Sequence, residues 1–172
     1  MKYFAYGSNL NLSQLQNRCP SARFQVLATL QGYTLEFRGR AKDAKATICI
    51  AEKGVVMGAI FDLSAADVKA LDQFEGVAGG SYKKLSLVVS DFDGHPVQAF
   101  TYVMARRGKG LPSEEYYRKI EEGYRDCGLP FGPLQAALEG KKPAKRSFHE
   151  DSFYDVSSYD RYDTWKDLIN AA

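Results

Sequence analysis

Two short stretches of the sequence carry residue types suited to chemistry, and the first lies near the beginning of the chain. In "KYFAYGSNL" (2–10), Lys2 to Tyr6 have the composition of a β-strand, and Gly7, Ser8 and Asn9 then end it with residues that tolerate unusual backbone angles. A strand end of this kind presents successive backbone N–H groups that no neighbouring strand has to use. Such a concavity suits a carboxylate or a developing oxyanion, although an ordinary tight turn explains the same three residues.

The second stretch is a predicted helix at 64–75 that ends on an acid. Ser64 and Asp67 form an S-x-x-D capping box, and Gly76 stands where a left-handed terminator is expected. Val68 and Leu71 share one stripe, and the next position of that stripe is Glu75. Burial and the helix C-terminus both raise the pKa of a carboxyl group there, which suits general acid–base catalysis. The alternative is a frayed helix end from which Glu75 turns to solvent.

Other common catalytic arrangements have little support. The two histidines, His95 and His149, lie in a predicted hairpin turn and near the end of the chain, and Ser8 lacks a G-x-S-x-G motif. No Walker A or G-x-G-x-x-G loop is present. The three cysteines have no C-x-x-C spacing, which argues against a zinc site or a disulfide framework: Cys19, Cys49 and Cys127. We therefore expect no metal and no cofactor.

Helices and strands alternate irregularly around these stretches. Asn11 is predicted to cap a short helix, and "GYTLEF" (32–37) alternates as a half-buried strand. Residues 39–46 are charged and predict an exposed loop, whereas 47–63 predicts a hairpin that turns at Glu52-Lys53-Gly54.

A second hairpin is predicted at 82–104, closing on Asp93-Gly94, followed by a helix at 113–128 capped by Ser113 and a helical turn at 133–139. This order indicates an α+β fold with a mixed or antiparallel sheet.

Length and composition predict one domain in a reducing compartment. The chain has 172 residues, a net charge of +2 and 45% hydrophobic residues. It has no basic face for nucleic acid and no apolar run long enough to span a membrane. A strand that begins at Lys2 leaves no room for a signal peptide, and the unpaired cysteines favour a cytoplasmic location.

The last part of the chain, 141–172, differs in character. It follows the basic residues Lys141 to Arg146 with an acidic, aromatic-rich segment of little periodicity. We expect a domain at 1–140 and a C-terminal extension at 141–172 that packs on the domain or on a partner.

The two chemical stretches together resemble the γ-glutamylcyclotransferase-like superfamily. "YGSNL" is followed by "LDQFEGV" (71–77), then by Tyr82 and by the tyrosine of "QAFTYVM" (98–104), and the resemblance covers about residues 1–130. It implies a small mixed β-barrel flanked by helices, with Glu75 as the catalytic acid/base. It also implies a set of substrate-binding residues in the loop: Tyr6, Gly7, Ser8, Asn9 and Leu10. Tyr82 and Tyr102 are expected as pocket walls or hydrogen-bond donors, with simple core packing as the alternative.

The resemblance implies that the enzyme converts a γ-glutamyl-amine or γ-glutamyl-amino-acid substrate to 5-oxoproline and the free amine. "YGSNL" is more similar to the γ-glutamyl-amino-acid and AIG2-like branches, whereas the loose "AGGSYKK" connection and the long tail leave the leaving group open. The expected partner is this small molecule, with no nucleic acid and no membrane, and the chain is expected as a monomer or homodimer. The alternatives are a tailoring cyclotransferase, lyase or amidase on the same scaffold, or a non-enzymatic ligand-binding module.

Overall fold

The computed structural model describes residues 1–40, 42–105 and 108–140. Five strands and four α-helices alternate along these residues, with one 3₁₀ turn after the first strand. In chain order they are β1 (Lys2–Ala5), the 3₁₀ turn (Ser8–Leu10), α1 (Leu12–Arg18), β2 (Arg23–Arg40), β3 (Asp43–Asp62), α2 (Ala65–Phe74), β4 (Tyr82–Asp91), β5 (Pro96–Met104), α3 (Glu114–Asp126) and α4 (Gly132–Leu138). The predicted extension at 141–172 lies outside the described residues.

The five strands form a closed barrel in the order β1-β3-β2-β4-β5. Neighbouring strands run antiparallel, except that β5 closes the barrel against β1 in parallel, with Phe100 opposite Tyr3. Apolar side chains fill the interior, where Phe4 and Ile60 are fully or almost fully buried. The expected α+β fold, a small mixed barrel flanked by helices, is confirmed.

The segment predicted as an exposed loop at 39–46 is instead the end of a long hairpin. β2 and β3 pair out to Arg40 and Asp43, and Ala44 and Ala46 are buried. The prediction was wrong because it took the absence of large apolar residues as exposure. Alanine on an inward-facing strand position is small enough to let other elements pack closely against it.

The hairpin predicted at 47–63 is also wrong, because these residues belong to one continuous strand. Gln31 pairs with Val55, whereas Tyr33 pairs with Ile50, so four residues of β3 lie opposite Gly32 alone. This is an irregularity in the ladder between β2 and β3. Polar residues with a glycine occur both in bulges and in turns, so Glu52-Lys53-Gly54 suggested a reversal that the chain does not make.

The start and end signals of α2 are those that the sequence predicts. The Ser64 side chain accepts from the Asp67 N–H, and the Asp67 carboxylate accepts from the Ser64 N–H, which completes the capping box. Leu71 is fully buried beneath the helix, and Gly76 ends it with a φ of +62°. These contacts place Glu75, the C-terminal cap of α2, at a defined position beside the barrel.

The second hairpin and α3 are confirmed. β4 and β5 join through a turn in which Gly94 has a φ of +85°, and Ser113 caps α3, which buries Ile120 and Tyr124. None of the helices in the described part of the chain has both the length and the apolar composition needed to cross a membrane.

Candidate active site

A small cavity opens where the end of β1 meets the C-terminus of α2. Its empty volume, which includes the open mouth, is about 300 Å³. Its walls include residues of both stretches that the sequence singled out, the two expected tyrosines and three further residues: Tyr3, Tyr6, Gly7, Ser8, Asn9, Ala46, Glu75, Tyr82, Tyr102 and Tyr116. The fold therefore brings the N-terminal loop and the helix-end carboxylate, 66 residues apart for Asn9 and Glu75, to one place.

The loop at the end of β1 is a short 3₁₀ turn. The Leu10 N–H donates to the Gly7 carbonyl and the Asn11 N–H donates to the Ser8 carbonyl. Among the described residues, the N–H groups of Ser8 and Asn9 donate to no backbone carbonyl. The start of this turn thus offers donors beside the cavity.

Leu10 differs from the other loop residues. Its side chain is fully buried in the core, it does not line the cavity, and its N–H is already bonded to Gly7. Leu10 therefore anchors the loop in the core, while Tyr6, Gly7, Ser8 and Asn9 line the cavity.

The loop rests directly on α3. A Cβ at Gly123 would lie 2.4 Å from the Asn11 nitrogen and 2.6 Å from the Leu10 carbonyl carbon, so only glycine allows this approach. Asn11 also caps α1, because its side chain accepts from the Gln14 N–H, and its amide donates to Glu122 at 2.8 Å. These contacts hold the loop from two sides.

Glu75 points into the cavity rather than to solvent. Its backbone N–H donates to the Leu71 carbonyl, and its side chain is 13% exposed. The Asn9 amide donates to Oε1 of Glu75 at 3.1 Å. Burial raises the pKa of Glu75, while the Asn9 hydrogen bond and the charge of Arg18 lower it by less. The carboxyl group therefore titrates closer to neutrality than an ordinary glutamate, as a proton-transfer group requires.

Asn9 connects this carboxylate to three other side chains. Its Nδ2 also donates to the Tyr3 hydroxyl at 2.9 Å, and its Oδ1 accepts from Nη1 of Arg18 at 2.9 Å and from the Gln14 side chain. These partners fix the amide so that its NH₂ group faces Glu75.

Tyr82 and Tyr102, the two tyrosines expected in the wall, both line the cavity, and Tyr102 is also packed in the core. Tyr102 donates its hydroxyl proton to Asp72 at 2.6 Å, and Asp72 is held in turn by Lys84. With that proton engaged, the Tyr102 oxygen can only accept from a ligand. Burial raises the pKa of Tyr82 and of Tyr102, so both are neutral at physiological pH.

Three wall residues were missed by the sequence analysis. Tyr116 lies four residues before Ile120 on the buried stripe of α3, a spacing that could have identified it, and its hydroxyl accepts from the Ala46 N–H. Tyr3 lies on β1, where its side chain is buried and lines the cavity. Ala46 was missed because residues 39–46 were predicted as an exposed loop.

His95, the histidine within the described residues, lies away from the cavity. His95 lies in the β4–β5 turn, where it pairs with Asp91 and does not line the cavity, so it forms no triad with Ser8. Asp91, Asp93 and His95 place one possible ligand atom each within 4.8 Å of one another at this mostly exposed turn. Exposed acidic groupings of this kind are common in proteins that bind no ion.

Comparisons with known proteins agree with this geometry. A sequence model of the AIG2-like family matches residues 55–132. The chain is 33% identical over 135 residues to mouse gamma-glutamylcyclotransferase, covering 74% of this chain and 72% of the mouse protein. It is 32% identical over 148 residues to the human protein of the same name, covering 82% and 78%.

A solved structure described as a gamma-glutamyl cyclotransferase has the same fold. It superposes with a TM-score of 0.73 at 26% sequence identity and covers 100% of this chain and 99% of its own.

Proposed function

The chain belongs to the γ-glutamylcyclotransferase family of enzymes, and we propose that it converts a γ-glutamyl-amine or γ-glutamyl-amino acid to 5-oxoproline and the free amine. The observation that carries this proposal is the buried Glu75 carboxylate, held by Asn9 at 3.1 Å beside a loop in which the Ser8 and Asn9 N–H groups donate to no backbone carbonyl of the described residues. A proton-transfer group and an oxyanion site in one small cavity are what ring closure on a γ-carbonyl needs.

Substrate binding is assigned to the loop and the tyrosines. The γ-glutamyl group lies with its γ-carbonyl and α-carboxylate near the N–H groups of residues 7–9, which suit negative charge. Tyr82 and Tyr102 form the walls against its methylene groups. Leu10 acts only by fixing the loop, since its side chain is in the core.

The reaction begins with Glu75 as a base. The ionised carboxylate removes a proton from the substrate α-ammonium group, and the free amine attacks the γ-carbonyl to close a five-membered ring. The loop N–H groups stabilise the oxyanion that forms. Glu75, now protonated, gives this proton to the departing amine as the carbon–nitrogen bond breaks. The ring nitrogen loses its remaining extra proton to the restored carboxylate, which passes it to the released amine, and 5-oxoproline leaves.

Glu75 and the loop supply what these steps require. Ring closure is intramolecular, so nucleophile and electrophile are already held together, and one carboxyl group can perform both proton transfers in turn. The raised pKa of Glu75 helps the first transfer, because the conjugate base of a weaker acid is a stronger base towards the ammonium group, and the protonated carboxyl is still acidic enough to protonate the leaving amine.

The test is a panel of γ-glutamyl donors with different leaving groups, in which 5-oxoproline and free glutamate are both measured. We expect 5-oxoproline with at least one γ-glutamyl-amino acid or γ-glutamylamine. Release of glutamate without 5-oxoproline would show an amidase instead. Binding without turnover of any donor would indicate the ligand-binding alternative.

We also infer that the enzyme works in the cytoplasm, with a small molecule as its partner, as a monomer or homodimer. All three cysteines are free, which fits a reducing compartment. Neither nucleic acid nor membrane is expected as a partner. Fractionation and analytical ultracentrifugation test these inferences.

A further inference from the structure

One cation reaches the catalytic carboxylate from outside the cavity. Arg18 stands in the last turn of α1 and extends towards the C-terminus of α2. Its Nη1 lies 2.9 Å from Oδ1 of Asn9 and 3.8 Å from Oε1 of Glu75. Arg18 does not line the cavity, so its contact with the site is made through these two residues.

The guanidinium group is held in place by more than this ion pair. Its central carbon lies 5.0 Å from the centroid of the Phe74 ring, the residue that precedes Glu75 in the chain. Only a quarter of the Arg18 side chain is exposed. Phe74 on one side and Asn9 on the other therefore fix the charge at the end of α2, where the helix dipole by itself disfavours a carboxylate.

The cavity needs such a charge. The residues of its wall include no lysine, arginine or histidine in the described part of the chain. On the proposed function, the substrate brings its own α-carboxylate into this small space beside ionised Glu75. Two anions a few ångströms apart oppose each other's ionisation unless a cation offsets one of them.

We propose that Arg18 is a positioning residue for the reaction, which keeps Glu75 ionised and aligned through a paired contact with Asn9 and the carboxylate. It does not touch the substrate. It completes an Arg18–Asn9–Glu75 arrangement that joins α1, the loop and α2. The proposal rests on the proposed function for its catalytic consequence, but its electrostatic part concerns the free protein alone.

The other groups that face Glu75 cannot take this role. Tyrosines approach it from β1 and the following loop, from β4, from β5 and from α3: Tyr3, Tyr6, Tyr82, Tyr102 and Tyr116. Burial raises the pKa of each, so they remain neutral in the range where Glu75 titrates. Asp72, three residues earlier on α2, is paired with Lys84.

The test is a titration of the Glu75 side-chain carboxyl by ¹³C NMR in the protein without substrate, with its signal assigned by its loss in Glu75→Gln. In Arg18→Met we expect the midpoint to rise by about 1 pH unit, the lower end of the effect of an opposite charge at this distance. Arg18→Lys restores a cation without the planar fork, and its midpoint should lie between those of the wild type and Arg18→Met. Arg118→Met, which removes an exposed arginine on α3, should leave the midpoint unchanged.

The catalytic consequence is measured separately. With a donor that is turned over, the acidic limb of the kcat/KM profile should move to higher pH in Arg18→Met by the same amount, so that the deficit shrinks as the pH rises. A loss of activity that is equal at all pH values would show a structural role and overturn the proposal. A Glu75 midpoint that does not change in Arg18→Met would also overturn it, whether or not the protein forms 5-oxoproline.

Folding is checked by thermal melting, and Arg18→Gln is the second neutral variant. If Arg18→Met and Arg18→Gln both fail to fold while Arg18→Lys folds, the charge serves the structure and the proposal is wrong. The absence of 5-oxoproline from every donor, together with a shifted Glu75 midpoint, would refute the proposed function and leave the electrostatic role of Arg18 standing.

Discussion

In the proposed reaction, both proton transfers depend on one side chain, that of Glu75. It is buried enough for its pKa to rise, yet it keeps one amide donor and one cation nearby. A glutamine at this position would keep the shape and could still accept from Asn9, but it could not take the substrate proton. This substitution therefore tests proton transfer separately from substrate binding.

We expect Glu75→Gln to lower kcat by roughly 10²–10⁴, the usual contribution of general acid–base catalysis, and by more if both proton transfers depend on it. Substrate binding should survive, because in the proposed function the loop and not the carboxylate holds the γ-glutamyl group. Steady-state kinetics with 5-oxoproline detection, and calorimetric binding of a donor, measure the two effects. Wild-type turnover in this variant would contradict the assignment of Glu75.

The same variant has a predicted effect on stability. Because the folded protein raises the pKa of Glu75, this group contributes stability in its protonated form, at low pH, and that contribution is lost as the pH rises through the folded pKa. Glutamine has no such loss. In urea unfolding, the free energy of unfolding of Glu75→Gln should therefore increase relative to that of the wild type from acidic to neutral pH. A difference between the two proteins that does not change with pH would contradict the burial of an ionisable group.

Gly7 has little space beside it for a side chain. A Cβ there would lie 3.2 Å from the Cβ of Ala46, across the cavity wall. We expect Gly7→Val to abolish turnover by filling the cavity and displacing the loop, with the loss of donor binding visible by calorimetry. Ser8→Ala should keep much of the activity, because the Ser8 hydroxyl is not a nucleophile in the proposed reaction. Complete loss in Ser8→Ala, with a covalent acyl adduct trapped on the unmutated protein, would overturn the mechanism.

At the scale of elements, the site depends on how closely α3 approaches the loop. Gly123→Ala would place a methyl group 2.4 Å from the Asn11 nitrogen and 2.6 Å from the Leu10 carbonyl carbon, both backbone atoms that cannot move alone. We expect about 1–3 kcal/mol of lost stability, as for overpacked cores, together with weaker substrate binding as the loop shifts. Chemical unfolding and KM measure the two effects.

Gly132→Ala on α4 is the matched control, because an added Cβ there has no atom within 4 Å. It should leave KM unchanged and the stability equal or slightly higher, since alanine favours a helix. If Gly123→Ala resembles this control in both measurements, α3 does not position the loop.

At the scale of the whole molecule, the proposed division of labour is between the barrel and the chain that follows it. Every wall residue of the cavity lies between Tyr3 and Tyr116. The segment 141–172 is outside the described residues, and its role is predicted from its aromatic content: too many aromatic residues for a freely solvated segment.

Truncation after Gly140 is expected to change substrate preference or association state while Glu75-dependent turnover remains for some donor. The donor panel and analytical ultracentrifugation measure this, with the full chain as reference. A truncated protein with wild-type specificity and association would show that the extension has neither role.

Local patterns in the sequence determined the elements that carry the N-terminal loop and Glu75. The strand end at Tyr6-Gly7, the capping box of Ser64 and Asp67, and the carboxylate on the buried stripe of α2 all depend on neighbours within about four residues, so they could be predicted. The resemblance of the loop and helix-end motifs then identified the barrel and the family. The predictions failed where small or polar residues were used in a strand, at 39–46 and at 51–54, because burial there depends on the partner strand.

What only the tertiary structure decided is which side chains meet around Glu75. Arg18 comes from α1, Tyr116 from α3 and Ala46 from β3, and no spacing in the sequence relates these positions to one another. The structure also separated Leu10, buried in the core, from its neighbours in the loop. The pKa of Glu75 belongs to this second class, because it depends on how much water barrel closure removes and on which dipoles and charges remain nearby.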